Sequence, residues 1–196
     1  VDLEERFASV EISEVPFVPV VVAGEEPPQP DPSIVSGATG TSGFLKAEAA
    51  PEEGTAFAEI RIPALESLAD GWTVVEGVSL SDLKNGAGHM PWTPLPGQPG
   101  NSVISGHRTT YGQPFHDLDL VEMGDLIEVE TALGVHVYAI REIQIVRPTD
   151  VWVTHARSGS WLTLTTCNPK FSARERLIVA AELVSGPNAE VILGRA

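Results

Sequence analysis

Residues 161–179 read WLTLTTCNPKFSARERLIV, two apolar runs around a basic segment, and hold Cys167, the one cysteine of the chain. Side chains alternate between the two faces of a strand, so the pattern predicts that Leu162 and Leu164 face a core. Cys167 then lies on the opposite, half-polar face, at the last position of its strand. A lone cysteine is most often buried and inert, but this position favours a thiol displayed for chemistry.

The second apolar run begins next to Arg176, which the same alternation places on the outer face. If the two strands are neighbours, the connection of residues 168–175 brings this guanidinium to the rim that carries Cys167. A nearby cation favours the thiolate form of a cysteine, and a fixed guanidinium could equally stabilise the oxyanion of a tetrahedral intermediate. Arg174 has the same parity but lies in the loop, so Arg176 is preferred.

A cysteine nucleophile also needs a proton carrier, which is usually histidine. His107 follows an apolar strand in a glycine-flanked turn, NSVISGHRTTYG, and strand ends are where scaffolds display reactive groups. Spacing alone favours His107 over the other four histidines without excluding them. His136 lies within a strand and is interpreted as structural or exposed. The remaining three, in loops or short helical pieces, could be surface residues: His89, His116 and His155.

Composition and charge argue against several classes of function. The chain has 196 residues, 18 Gly, 16 Pro and a formal net charge of −15. This Gly and Pro content favours a loop-rich β protein over a helical bundle, and the charge argues against a nucleic-acid partner, which needs clustered Lys and Arg. No apolar run approaches the roughly 18 residues of a membrane span. Because the chain begins at Val1 and not at Met, we expect that an N-terminal segment is missing.

The chain is predicted to divide near residue 57. Residues 1–57 are rich in Pro and Gly, and the first 59 residues contain twelve Asp and Glu against two Lys and Arg. This composition is typical of an acidic extension or linker. Two alternatives stay open for it: a plain spacer, or a segment whose apolar patch at 15–24 covers a site in the second part. Residues 58–196 are predicted to form one β domain.

From Ala58 onward, short apolar runs alternate with turns and predict many strands, few helices and no βαβ rhythm. Short helices are predicted near 79–86 and 114–120, and the Pro- and Gly-rich residues 91–100 predict a loop. These features favour a mixed or antiparallel β-barrel or sandwich. The predicted strands are 58–63, 73–77, 101–106, 125–131, 135–146, 161–167 and 175–184.

Several separate motifs resemble the sortase family of Gram-positive cysteine transpeptidases. They are TLTTC at 163–167, an arginine nine positions after the cysteine, and GHR at 106–108, with its histidine sixty positions before the cysteine. GHMPWTPLPGQPGNSVISGHRTTYGQPFHDLDLVEMGD at 88–125 and RPTDVWV at 147–153 are similar to the class E sortases of actinobacteria. The resemblance covers about residues 58–185 and implies a closed eight-stranded β-barrel with short helices in its connections.

The resemblance also implies roles for individual residues. Cys167 would be the nucleophile, His107 the general acid and base, and Arg176 the group that supports the oxyanion or orients the substrate. Substrate contacts are implied for Tyr111, Thr165 and Thr166 and for the loop at 147–160. Tyr111 matches the class E residue linked to a preference for LAxTG-type over LPxTG-type sorting signals. No acidic cluster in the loop matches the Ca²⁺ site of class A sortases, so no metal and no cofactor are expected.

The implied reaction joins a sorting-signal peptide of a surface protein to an amine of a cell-wall peptidoglycan precursor, through a thioester on Cys167. It would occur at the extracellular face of the cell membrane, with membrane contact only through a missing N-terminal transmembrane anchor. Two alternatives stay open: a cysteine endopeptidase that hydrolyses the same acyl-enzyme, and a non-catalytic surface barrel that binds a ligand.

Overall fold

Ten β-strands are found in the computed structural model, which describes residues 3–19 and 43–195. They are β1 (Ile12–Pro16), β2 (Phe44–Glu48), β3 (Ala56–Arg61), β4 (Trp72–Glu76), β5 (Ala87–His89), β6 (Gly100–Ser105), β7 (Leu126–Thr131), β8 (Gly134–Val146), β9 (Ser160–Asn168) and β10 (Glu175–Ser185). The helices in these ranges are α1 (Leu3–Phe7), α2 (Glu66–Ala69), α3 (Ala189–Ile192) and 3-10 turns at Asp82–Lys84, Leu118–Leu120 and Val151–Thr154. None of them is long and apolar enough to cross a membrane.

Strands β3 to β10 close into a barrel in the spatial order β10-β8-β7-β3-β4-β5-β6-β9. The pairs β4–β5 and β6–β9 are parallel and the other pairs antiparallel. Closure leaves this sheet without the two free edges that an open sheet would expose. The prediction of a mostly β, closed eight-stranded barrel with short helices in its connections is confirmed.

The barrel core follows the alternation that the sequence predicts for β9 and β10. Leu162 and Leu164 are fully buried in the core cluster, together with Leu177 and Val179 from the neighbouring strand. Their sequence neighbours point to the outer face, where Ile178 lines a surface groove. The apolar inner face therefore fixes the register of these two strands, because a slip by one residue would expose every leucine.

Some boundaries differ from the sequence-based prediction. β5 was not predicted, because a strand of three residues is too short to show alternation. The helices expected at 79–86 and 114–120 are single 3-10 turns of three residues each. In the first of them, Asp82 accepts a hydrogen bond from the Ser79 N–H at 2.9 Å, and such local side-chain contacts compete with a longer helix.

The described parts of the N-terminal region pack onto the end of the barrel where β9 begins and β10 ends. β1 and β2 form an antiparallel pair, and β2 is fastened by Asn188, whose side chain accepts from the Lys46 N–H and donates to the Lys46 carbonyl, both at 2.9 Å. Cys167 lies at the opposite end of β9. The division of the chain at residue 57 stays a prediction, and residues 20–24 of the apolar patch lie outside the described ranges.

A buried histidine gives the fold a pH dependence that can be measured. His136 is 0% exposed, with Nε2 3.2 Å from Thr131 Oγ1. Burial lowers the pKa of His136 to about 4, whereas an unfolded histidine titrates near 6.5. The unfolded chain therefore takes up this proton first, so the contribution of His136 is complete above pH 6.5 and is lost as the pH falls to 4. We expect it to amount to on the order of 3 kcal/mol.

Urea unfolding of the wild type and of His136→Gln at several pH values between 7 and 4 checks this expectation. The variant should lose less unfolding free energy over this range, whatever its stability at pH 7. His155→Gln, which changes an exposed histidine, serves as the control and should follow the wild type. Parallel curves for the wild type and His136→Gln would contradict the expectation.

Candidate active site

Three neighbouring strands bring the predicted catalytic residues to one rim of the barrel. β9 lies between β6 and β10, and Cys167 is directly opposite Arg176 in the β9–β10 pair. The last pair of β6 with β9 is Ser105 with Thr165. Beyond it the Gly106 N–H donates to the Thr165 carbonyl and Arg108 donates to the Cys167 carbonyl, so His107, between them in the chain, lies beside Cys167. Since neighbouring strands are about 4.8 Å apart, the structure brings all three residues together.

Arg176 is held at the second residue of β10 by its own loop. Its Nη1 donates to the carbonyls of Ala173 at 3.0 Å and Glu175 at 2.9 Å. Within the described residues both hydrogen bonds of this guanidinium use the same nitrogen, so its remaining N–H groups can meet a developing negative charge. Arg174, the sequence alternative, is exposed in the loop and has no strand to fix it.

The turn that carries His107 is built on Gly106. The Gly106 N–H donates to the Thr165 carbonyl at 3.0 Å, and the Gly106 carbonyl accepts from Thr166 Oγ1 at 2.7 Å. A Cβ at position 106 would overlap the ring of Phe115, so only glycine fits between β6 and the histidine. Thr166 is buried and its hydroxyl is used here. We therefore assign Thr166 to positioning this turn, whereas the half-buried Thr165 stays a candidate for substrate contact.

His107 is suited to act as a base at neutral pH. Its Nε2 is buried and has no hydrogen-bond partner among the described residues. Burial lowers the pKa of His107 below its ordinary value of 6.5, so the imidazole is neutral near pH 7. A buried polar atom without a hydrogen-bond partner destabilises the folded protein. At a catalytic site, the substrate or the nucleophile can supply the missing hydrogen bond to Nε2.

Tyr111 lies beside His107 in a strained backbone conformation. Its ring centroid is 5.1 Å from that of His107, and its φ is +48°, in the left-handed region that non-glycine residues rarely adopt. The Lys84 ammonium lies 5.3 Å from the centroid of the same ring, and Tyr111 is 54% exposed. An exposed aromatic ring at the rim, held there against backbone strain, can contact a bound peptide.

Two of the other histidines are buried away from this rim, whereas His116 lies near it, with Nδ1 2.9 Å from the Arg108 carbonyl. His89 is not a surface residue, contrary to the sequence interpretation: it is buried in β5, where Nδ1 lies 2.7 Å from Glu76 Oε2. The sequence reading failed because the partner carboxylate is thirteen residues away and belongs to the neighbouring strand. His136 is structural, as described above. His116 is half-buried and His155 exposed.

A groove of about 200 Å³ lies on the outer face of β9 and β10. Its floor is formed by Thr163, Ile178 and Ala180, and the β8–β9 connection of residues 147–159 forms one wall. This volume suits one or two side chains and is smaller than the pockets that take whole drug-sized ligands. The groove is on the same strand faces as Cys167 and Arg176, so an extended peptide can run from it to the thiol.

The wall of the groove is fastened at two points. Asn101 is buried and donates to the carbonyls of Val153 at 3.1 Å and His155 at 3.0 Å. Further along, the Arg157 guanidinium stacks on Trp161, with Cζ 3.7 Å from the ring centroid, and pairs with Glu142. The sequence did not predict these roles of Asn101 and Arg157, because Val153 and His155 are more than fifty residues from Asn101 and Glu142 is fifteen from Arg157.

Arg108 was also missed, although it is part of the GHR motif. It is 3% exposed, and its Nη1 donates to the Cys167 carbonyl at 3.2 Å. Its position directly after His107 was the available signal. The expected absence of a metal stays a prediction; in residues 3–19 and 43–195, no three His, Cys, Asp or Glu side chains are grouped to hold an ion.

A thiol, an imidazole and a guanidinium on one rim are the kinds of group that covalent acyl chemistry uses. The family model of the sortase domain matches residues 60–184, well over half of the chain. The chain belongs to the sortase family, whose members are cysteine transpeptidases.

Relatives with a known class refine this assignment. Sortase SrtE1 of Streptomyces coelicolor is 32% identical over 149 residues, which cover 68% of this chain and 42% of that protein. Sortase D of Bacillus subtilis is 33% identical over 125 residues, which cover 63% of this chain and 60% of that protein. Sortase E from Streptomyces avermitilis matches with a TM-score of 0.63 at 37% identity, covering 69% of this chain and 91% of that one. The resemblance to class E sortases is confirmed, and the chain spans 42% to 60% of the length of the two curated relatives.

Proposed function

We propose that this chain is a cysteine transpeptidase that cleaves a sorting signal of the LAxTG or LPxTG type between Thr and Gly and transfers the acyl group to a cell-wall amine. One observation carries the proposal: β6, β9 and β10 bring His107, Cys167 and Arg176 to one rim, beside a groove on the same strand faces. Sortases are associated with the cell surface, where both proposed substrates are found.

The first half of the reaction forms a thioester. The neutral imidazole of His107 takes the proton of the Cys167 thiol as sulfur attacks the carbonyl carbon of the Thr–Gly bond. Arg176 stabilises the oxyanion of the tetrahedral intermediate. The C–N bond then breaks, and the imidazolium gives its proton to the leaving glycine amine, so that charge and protons balance.

The second half reverses the roles of the same groups. The amine of a cell-wall precursor attacks the thioester carbonyl, and His107 accepts the proton that the amine loses. The C–S bond breaks and sulfur leaves as the thiol after it recovers a proton from the imidazolium. The free energy of the original peptide bond is conserved in the thioester, whereas attack by water would release it.

The geometry of the groove fits the leucine of such a signal. In an extended peptide, this residue lies three residues before the threonine whose carbonyl is attacked, about 10 Å away at 3.3 Å per residue. Thr163 is four residues along β9 from Cys167, and Ile178 is two residues along β10 from Arg176, which is opposite Cys167. The groove floor therefore lies about 7 to 13 Å along the strands from the thiol. Trp152 and Val153 give the groove exposed apolar surface for a branched side chain, above Ile178 and Ala180, which are 1% exposed.

Mass spectrometry of the intact protein with LAxTG and LPxTG peptides tests this function, with and without a glycine-type amine. We expect an acyl-enzyme on Cys167 and, with the amine present, a transpeptidation product. If the hydrolysis product forms at the same rate with and without the amine, and no transpeptidation product appears, the result favours the cysteine endopeptidase. Absence of any acyl-enzyme with either peptide would leave only the non-catalytic barrel.

Arg157→Ala is expected to weaken peptide binding by loosening the groove wall. The variant loses a cation–π contact and a half-buried ion pair, together worth about 1 to 2 kcal/mol, which corresponds to a KM increase of about tenfold. The value of kcat should change little, because the rim is untouched. Steady-state kinetics with the preferred peptide measures both constants.

Arg147→Ala is the matched control for Arg157→Ala. It removes a guanidinium at the other end of the same connection, where Arg147 is 80% exposed and pairs with Asp150 at 3.0 Å. Its KM should equal that of the wild type. An unchanged KM in Arg157→Ala, or an equal increase in both variants, would remove this role of the groove wall.

A further inference from the structure

The chain neighbours of the three rim residues are hydrogen-bonded to one another. Arg108 follows His107, Asn168 follows Cys167, and Glu175 precedes Arg176. Arg108 Nη1 donates to Asn168 Oδ1 at 2.7 Å. Asn168 Nδ2 donates to Glu175 Oε2 at 3.0 Å. One amide side chain thus connects the three strand ends on which the rim residues lie.

Arg108 anchors this set inside the protein. Besides Asn168, its guanidinium reaches the Cys167 carbonyl, the His116 carbonyl at 3.4 Å and the Asp119 carboxylate at 2.9 Å. A buried guanidinium is costly unless its donors are satisfied, and here three residues besides Asn168 satisfy it. These hydrogen bonds therefore fix the orientation of the planar Arg108 guanidinium. The single ammonium group of a lysine could not be fixed at this place to the same degree.

These side chains act where the strand ladder stops. Strand pairing between β6 and β9 ends at Ser105 with Thr165, and the last backbone hydrogen bond between the two segments runs from the Gly106 N–H to the Thr165 carbonyl, one residue before His107 and two before Cys167. A strand end without ladder hydrogen bonds is free to fray. The contacts through Arg108 and Asn168 continue the connection beyond this point, at the level where the reacting groups must stay aligned.

We propose that Arg108, Asn168 and Glu175 form a positioning network that holds His107, Cys167 and Arg176 in reacting alignment. The inference rests on the proposed function, since alignment is required only if these three residues react. The members of the network do not touch the reacting atoms. They act through the backbone of their neighbours, so their loss lowers kcat and leaves the groove that binds the peptide intact.

Asn168→Ala is the first test, because it removes both contacts at a half-buried strand end. Measured well below the melting temperature, kcat should fall about 100-fold, the cost of a displacement of about 1 Å between reacting groups. KM should stay near the wild-type value. The rate of Cys167 alkylation by iodoacetamide, followed over pH, should also change its profile, since His107 no longer lies at the same distance from the thiol.

Substitutions at Glu175, alone and combined with Asn168→Ala, separate positioning from simple stability. Glu175→Gln keeps an oxygen that accepts from Asn168 and should recover most of the kcat that Glu175→Leu loses. Asn168→Ala combined with Glu175→Leu should be little worse than Asn168→Ala alone, since members of one network are not additive. Arg141→Ala, which breaks an exposed ion pair with Glu182 elsewhere on the barrel, is the control and should keep the wild-type kcat.

A wild-type kcat in Asn168→Ala, with only the melting temperature lowered, would overturn the network. The failure of the proposed function is distinguishable, because then the wild type itself forms no thioester with either peptide. Even in that case the alkylation profile decides the matter: a changed profile in Asn168→Ala and Glu175→Leu supports the alignment of thiol and imidazole, and an unchanged one refutes it.

Discussion

Cys167→Ala is expected to form no acyl-enzyme and to release no glycine product from either sorting-signal peptide. The chain has one cysteine, so no other thiol can take over the attack. Loss of the nucleophile in covalent acyl transfer lowers kcat on the order of 10⁶-fold. Intact-mass spectrometry shows the missing thioester directly, and chromatography of the peptide mixture shows the missing product.

The same variant should fold normally. Cys167 is half-buried on the outer face of β9 and is absent from the core cluster, so its sulfur contributes little to packing. Thermal unfolding by circular dichroism should therefore give nearly the wild-type melting temperature. Turnover that persists in a folded Cys167→Ala variant would contradict the catalytic role of the thiol.

His107→Gln should lose about 10²- to 10⁴-fold in kcat, the usual worth of a positioned acid and base. The wild type should also show a distinct acid limb. Burial lowers the pKa of His107, so the neutral base persists below pH 6.5 and the acylation rate falls only at lower pH, as the imidazole takes up a proton. In His107→Gln this limb should disappear.

Single-turnover acylation measured over pH gives both results for the wild type and His107→Gln. Because KM is not involved, the profile reports the base and not peptide binding. An acid limb with its midpoint above pH 6.5 would contradict the effect of burial on His107. The same limb in both proteins would assign it to another group.

Much of the fold could be predicted because it depends on local patterns. The period-two alternation in the two strands within residues 161–184 is a property of strand geometry. The sequence alone therefore predicts which leucines face the core and that the Cys167 thiol faces outward. The prediction that the barrel is closed depended on the family resemblance. No local pattern relates the segments that the parallel pairs β4–β5 and β6–β9 join. β5 could not be predicted for a different reason, because three residues are too few to show alternation.

The candidate site likewise has features that could be predicted from the sequence and features that could not. The sequence by itself determined which residues could react: a single thiol at a strand end, an arginine at the start of the next strand, and a histidine in a glycine-flanked turn. Only the tertiary structure decided that Thr166 is hydrogen-bonded to Gly106, that Arg108 is hydrogen-bonded to Cys167 and that His89 is buried against Glu76. Alternation needs only neighbours in the chain, whereas these hydrogen bonds join residues 13 to 60 positions apart and exist only once the strands are paired.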